Sequence, residues 1–303
     1  MSILSETHST DLLDGLAHAL ESGERPPTEE LIPHLRHPDN AIRRIALELL
    51  ESGAEPAGVP ALLEVVADAD EELSIAAAGI LRSLRDPAAV DFLLHGLSHP
   101  AAEARIAVIA ALRNFHAPEA VEPLVLSLGD VEPTVRREAV ASLARYRGHA
   151  DLVVALRSAL RDDSPLVRRA AIDAVIHFDS AFVFDDLIRA LDDDDWQVRR
   201  GAVHALRRFP GQAARAALLD SLGDPAWQVA KVAAGSLAAL RARVDYRLFP
   251  LLRHAVADVR LAAVDALAIS AEAALRPQLE PLFDDPDDRV RAAARRAHSR
   301  LSE

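Results

Sequence analysis

One feature constrains this chain more than any other. A short turn rich in Asp, His and Pro, followed by a run of the form V-R-x-x-A-x-x-A-L, occurs nine times. The copies begin at His37, Asp68, His99, Asp130, Asp162, Asp193, Asp224, His254 and Asp285, at intervals of 31, 31, 31, 32, 31, 31, 30 and 31 residues. A fixed period in this range is the signature of a solenoid, in which each repeat is too small to bury its own apolar face and must stack on its neighbours.

Each repeat reads as two helices. The second, helix B, follows the turn and places apolar residues at i, i+4, i+7 and i+8, as in Val198, Ala202, Ala205 and Leu206. The first, helix A, carries a stripe such as Ala120, Val121, Leu124, Val125 and Leu128. Asp or Ser near the start of helix B suits an N-cap, and Pro38, Pro100, Pro225 and Pro286 suit the turn, since proline lacks only an N–H that the first turn leaves unpaired anyway. The recurrent alanine lets helices approach to about 8 Å, the short end of the usual range. Mid-helix prolines at Pro33, Pro250 and Pro281 predict kinks in helix A of repeats 1, 8 and 9. Residues 1–26 lie outside the repeat and are expected to form a tail and a capping helix around Thr10–Leu20, with the solenoid running over 27–303. Arg289, Arg291, Arg295, Arg296 and Arg300 make the final helix polar, as a terminal cap requires.

Composition agrees. With 50% hydrophobic residues the chain can build a core, but only 4% are aromatic, so that core must be Ala, Leu, Val and Ile in close contact. The absence of cysteine removes disulfides, thiolate metal sites and Cys nucleophiles. The first residues, MSILSETHSTDLLDG, have neither the basic start nor the apolar core of a secretory signal, and no stretch approaches the roughly 18 apolar residues of a membrane span. A net charge of −13 argues against nucleic acid and anionic membranes as partners. Arginine outnumbers lysine 33 to 1, which fits a GC-rich bacterial source. The expectation is a bacterial cytoplasmic protein.

The D-x-x-x-x-V-R-x-x-A-x-x-A-L pattern over about residues 27–303 resembles HEAT repeats, in the short form associated with phycobilisome lyase subunits. The resemblance implies an all-α, right-handed superhelix of nine helix pairs with the B helices on its concave wall. It also implies a ladder in which the turn Asp of one repeat meets the Arg of a neighbour. The ladder arginines are Arg43, Arg105, Arg136, Arg168, Arg199, Arg260 and Arg291. Ser74 and Ala230 interrupt them, and His37, His99 and His254 replace Asp. Proteins of this kind include adaptors, bilin lyases, a di-iron hydroxylase and DNA glycosylases.

The slot after the ladder Arg should face away from the core. It holds Arg44, Ile75, Ile106, Arg137, Arg169, Arg200, Lys231, Leu261 and Ala292. Repeats 2 and 3 thus present an apolar shelf (Ile75 and Ile106, with Ala76, Gly79, Ala107 and Ala110). Repeats 4 to 7 present the cations Arg137, Arg169, Arg200 and Lys231. The only two tryptophans, Trp196 and Trp227, share one slot in consecutive repeats, where they either pack over the turn or serve as aromatic anchors. Phe115, Tyr146, Phe178 and Phe209 recur after helix B and read as inter-repeat core filling. Residues 1–160 carry 13 basic and 25 acidic residues, and residues 161–303 carry 21 and 22, so the two ends present different fields and head-to-tail self-association is conceivable.

Catalytic signatures are missing. There is no His-Glu dipeptide for a di-iron site, no GxxxxGK[ST], no GxGxxG and no GxSxG. His95 and His99 share a helix face but lack a third ligand, and the acidic run Asp192–Asp195 lacks the spacing of a calcium loop and reads as helix termination and capping. The reading is a non-enzymatic adaptor or scaffold with no cofactor and no metal, binding another protein through Trp196, Trp227, Arg137, Arg169, Arg200, Lys231, Ile75 and Ile106. The alternative is a bilin (tetrapyrrole) lyase or chromophore chaperone, whose cations would pair with propionates. Nucleic acid ranks behind both.

Overall fold

The computed structural model describes residues 3–51, 53–146, 150–176, 183–209, 211–240, 246–269 and 272–301. All regular elements among them are helical. The chain forms two compact halves, residues 1–155 and 156–303, and each is a stack of helix pairs.

In the first half the B helices are Asn40–Glu51, Glu71–Ser83, Ala102–Leu112 and Pro133–Leu143, each packed against the next. In the second half they are Pro165–Val175, Trp196–Leu206, Trp227–Ala239, Ala257–Ala268 and Asp288–Arg300, again in succession. The core repeats with the sequence. One position of helix B is fully enclosed in every repeat: Ala46, Ala77, Val108, Ala139, Ala171, Ala202, Ala233, Ala263 and Ala294. The small side chain there leaves room for adjacent helices to pack closely. Only repeat 3 carries a larger residue, Val108, and there Gly96 of the preceding helix A supplies the room. A Cβ on Gly96 would lie 2.8 Å from Val108 Cγ2 and 2.6 Å from Leu63 Cδ1.

The turn residue works differently from an N-cap. Its side chain accepts the N–H two residues on, closing a local turn: Asp130 from Glu132 at 2.9 Å, Asp193 from Asp195 at 2.9 Å, Asp224 from Ala226 at 2.8 Å. True N-caps sit two residues later, where Asp70, Asp195 and Asp287 accept from the first free N–H groups of their helices. Ser164, at the corresponding place in repeat 5, makes no side-chain capping bond.

The expected proline kinks take another form. Helix A of repeat 8 is 3-10 throughout, Tyr246–Arg253 with Pro250 inside, and Pro33 and Pro281 lie in the 3-10 segments Ile32–Arg36 and Glu280–Asp284. Pro33 and Pro281 stand in the first two positions of their segments, where no intrahelical donor is required, and 3-10 geometry also closes helix A without a proline at Ser127–Gly129 and Ala190–Asp192.

Before the repeats, the helix Ile3–Ser22 packs on helix B of repeat 1, burying Leu16 and Ala19. Gly23 ends it at φ +73°, with Gly23 N–H donating to Leu20 O and Glu24 N–H to Ala19 O, the two bonds of a Schellman motif.

Candidate functional site

The surface of the B-helix row is organised by two ladders. In the inner one, Arg105, Arg168, Arg199 and Arg260 each close their own turn and reach into the next repeat. Arg105 Nη1 donates to the carbonyls of His99 and Pro100 at 2.8 and 2.9 Å, while Nε and Nη2 hold both carboxylate oxygens of Asp130 at 2.7 and 2.8 Å. Arg168 grips Asp193, Arg199 grips Asp224 and Arg260 grips Asp285 in the same bidentate way. Such paired charge-assisted bonds fix orientation as well as distance. Arg43 makes a looser version, one contact to Asp68 at 3.5 Å. The acidic run is thereby accounted for in part, since Asp193 belongs to the ladder and Asp195 caps a helix.

Electrostatics follow the geometry. Burial, the largest single influence, would raise the Asp130 and Asp193 carboxyls, but hydrogen bonds from Arg105 and Arg168, the backbone N–H bonds from Glu132 and Asp195, and the nearby arginine charges together hold both below the ordinary carboxylate range. For Asp285 the bond from Arg260 is the leading cause of the same lowering.

The outer ladder uses the slot after the inner Arg. Arg44 bonds Glu72, Arg169 bonds Gln197 and Lys231 bonds Asp258 at 2.7 Å, each reaching the first turn of the next B helix. Of the expected stripe of cations, Arg169 and Lys231 are therefore engaged from repeat to repeat. Arg137 lies 3.6 Å from Glu138 on its own helix, and the Arg200 guanidinium sits 5.4 Å from the Trp196 ring centroid. The partners Glu72, Gln197 and Asp258 went unnoticed in the sequence, although their spacing of 27 or 28 residues from the cations is the signal that would have found them.

Trp196 and Trp227 are each the first residue of a B helix, and both are half-buried. The apolar shelf divides: Ile75 is 61% exposed and Ala76 is exposed, while Ile106 is half-buried and Ala107 is enclosed. Phe115, Tyr146 and Phe209 are half-buried and Phe209 meets Phe184 with centroids 5.2 Å apart; Phe178 lies outside the described residues.

A further cluster lay hidden in the sequence. Asp186, buried in helix A of repeat 6, accepts from Arg157, Arg161 and Arg189. Desolvation pushes its carboxyl up, and the bonds from Arg157 and Arg189 pull it below the usual range.

Stacked helix pairs joined by Arg–Asp ladders define an all-α solenoid. Residues 28–113, 90–175 and 153–238 match the family described as HEAT repeats, and the chain belongs to that family. Among solved structures it is similar to YibA of E. coli (19% identity, 95% of this chain, 96% of that one, TM-score 0.54). It is also similar to the importin β chain (15%, 100% and 49%, TM-score 0.64) and to a chain in a structure of Kap95p bound to RanGDP (16%, 92% and 46%, TM-score 0.64). It spans about half the length of these last two. At such identities the likeness concerns the fold. No curated protein matches the chain. Among the described residues no helix is long and apolar enough to cross a membrane.

Proposed function

We propose that the chain is a non-catalytic adaptor that holds a protein partner on the outward faces of its B helices. The observation that carries this reading is Ile75. It is 61% exposed at the slot where Arg44, Arg169 and Lys231 instead bond to the next repeat. A large apolar side chain left in solvent beside satisfied polar neighbours is the arrangement of an interface core with a polar rim. In the first half the contact residues are Ile75, Ile106 and Arg137. In the second they are Arg169, Trp196, Arg200, Trp227 and Lys231, with the half-buried tryptophans as rigid anchors. The structures of importin β and of Kap95p with RanGDP support the reading by fold alone.

The short phycobilisome-lyase form of the repeat keeps a bilin in view as ligand. A bilin would need open guanidinium groups for its propionates, and Arg44, Arg169 and Lys231 are committed to Glu72, Gln197 and Asp258, which favours a protein partner.

The test is site-specific photocross-linking in the native host. A cross-linker at position 75 or 200 should yield a discrete protein adduct, and one at Val154, exposed on helix A of repeat 5, should not. Removing both tryptophans (W196A/W227A) should weaken binding of the captured protein by more than about 2 kcal/mol. Equal adducts from position 154, or unchanged affinity in the folded double variant, would count against the assignment.

A further inference from the structure

The B helices of repeats 1 and 2, Asn40–Glu51 and Glu71–Ser83, enclose an open groove of about 500 Å³. Its floor is apolar: Leu47, Leu73 and Ile80 are buried beneath it, and Ile75 and Ala76 stand exposed along one side. Gly79 leaves a gap, because a Cβ placed there would meet nothing within 4 Å. Polar groups at the rim are asymmetric. Arg44 and Glu72 bond each other and close one end. Glu48 occupies on repeat 1 the position that Gly79 holds on repeat 2, Glu51 follows one turn on with Arg82 as its counterpart, and all four line the groove. The wider field has the same sign: residues 1–155 contain 25 acidic and 12 basic residues, against 22 and 22 in 156–303.

We propose that this groove is the docking site for a cationic, amphipathic segment of a partner protein. An aliphatic side chain of that segment rests on Ala76 and fills the gap over Gly79, and an adjacent arginine or lysine lays its methylene stem along Ile75 and delivers its charge to Glu48 and Glu51. The occupant follows from complementarity. An anionic segment would bring like charge to the two open carboxylates and to the most acidic half of the chain, and a purely apolar one would strip water from Glu48 and Glu51 without replacing it. The inference rests on the adaptor reading and gives the chemistry of one of its partners.

The probe is a fluorescein-labelled peptide with leucine and arginine at helical spacing, titrated with the intact protein and followed by anisotropy. Two control peptides carry glutamate for arginine and serine for leucine. The Leu/Arg peptide should bind, and both controls should bind at least about tenfold more weakly, since apolar anchor and charge each contribute a tenfold step or more. Gly79→Leu plugs the groove from open space and should abolish binding. E48K/E51K should abolish it too, and Gly235→Leu, the same position on repeat 7 and equally open, should leave it intact. Circular dichroism establishes that each variant is folded. Equal binding of the serine peptide would reduce the contact to unspecific charge attraction and overturn the proposal, as would binding unaffected by Gly79→Leu. Concentration-dependent dimers of the protein that Gly79→Leu dissolves would assign the groove to a second copy instead. If the peptide fails while a partner still cross-links at position 200, the groove assignment falls and the adaptor reading stands; if neither binds, both fall.

Discussion

Arg105 of repeat 3 donates from Nε and Nη2 to the two carboxylate oxygens of Asp130 of repeat 4, at 2.7 and 2.8 Å. That pairing explains the exceptions in the ladder. The repeats that lack the arginine, at Ser74 and Ala230, are each followed by a repeat whose turn begins with histidine, His99 and His254. The helix before repeat 1 has no arginine either, and His37 begins that turn. In all three cases Nδ1 accepts the N–H two residues on, at 3.1 Å for His37, 3.2 Å for His99 and 3.0 Å for His254. Histidine thus keeps the local turn and omits the carboxylate that would have no guanidinium to meet.

The joint between repeats 2 and 3 can accordingly be rebuilt. His99→Asp alone should destabilise the protein, because it places an unpartnered carboxylate in a partly enclosed turn. Ser74→Arg alone forfeits the hydroxyl bond to the Val66 carbonyl, 2.7 Å, for a guanidinium without its acid. Together they recreate the Arg105–Asp130 arrangement, and the double-mutant cycle should give a favourable coupling of about 1–3 kcal/mol, the range for charge-assisted contacts between neighbours. Urea unfolding of the four proteins measures it, and a coupling near zero would show that the exceptions are unrelated.

The ladder also sets the response to acid. Asp130, Asp193 and Asp285 have folded-state pKa values below those of an unfolded chain. The folded protein therefore binds fewer protons than the unfolded one in the interval between those values. Their contribution is complete above the ordinary carboxylate pKa of about 4 and is lost as pH falls through the lowered values. Chemical denaturation between pH 3 and 7 should show a plateau near neutrality and a steep loss below about pH 4. Asp285→Asn should lower the plateau and flatten that acid slope. An unchanged slope would exclude the Arg260–Asp285 pair as a source.

Asp186 gives a third expectation. Its carboxylate is buried while its three arginines remain partly in solvent. Asp186→Asn keeps the shape but leaves Arg157, Arg161 and Arg189 crowded without a counter-charge. Because the arginines are hydrated the cost should be moderate, about 1–3 kcal/mol, and addition of salt should recover part of it by screening the repulsion. Thermal melts in low and high salt check both points.

The sequence and the structure agree where periodicity acts. Helix phase, the enclosed alanine and the inner Arg–Asp ladder all recur at one spacing, so nine copies vote on each position. What periodicity does not encode was invisible. Asp186 stands at a position where repeats 2 and 7 carry Ala61 and Ala217, and its partners come from the end of the preceding helix A and from its own helix. The engagement of the outer cations also escaped, because a lone Arg169 or Lys231 on an outward slot looks solvated until Gln197 or Asp258 is seen at the next helix start. The 3-10 geometry of helix A around Pro250 was not legible either, because the local rule for proline predicts a kink and not the bonding pattern of the whole segment.

Repeat 3 shows the same logic in the core, and its test is the most local. Val108 is the one non-alanine at the enclosed position, and Gly96 is the residue whose missing Cβ accommodates it, 2.8 Å from Val108 Cγ2. Gly96→Ala would ordinarily favour a helix by roughly 0.5–1 kcal/mol, but here the added methyl must displace Val108 and Leu63, an overpacking cost of about 1–3 kcal/mol. The net effect should be destabilising. Val108→Ala removes two methyl groups and should by itself cost about 1–2 kcal/mol through the cavity it leaves. In the double variant the new methyl occupies part of that space, so the two losses should sum to more than the loss observed. Equilibrium unfolding of the single and double variants decides it: strict additivity would mean that Gly96 answers to Leu63 alone and that the valine and the glycine in repeat 3 arose independently.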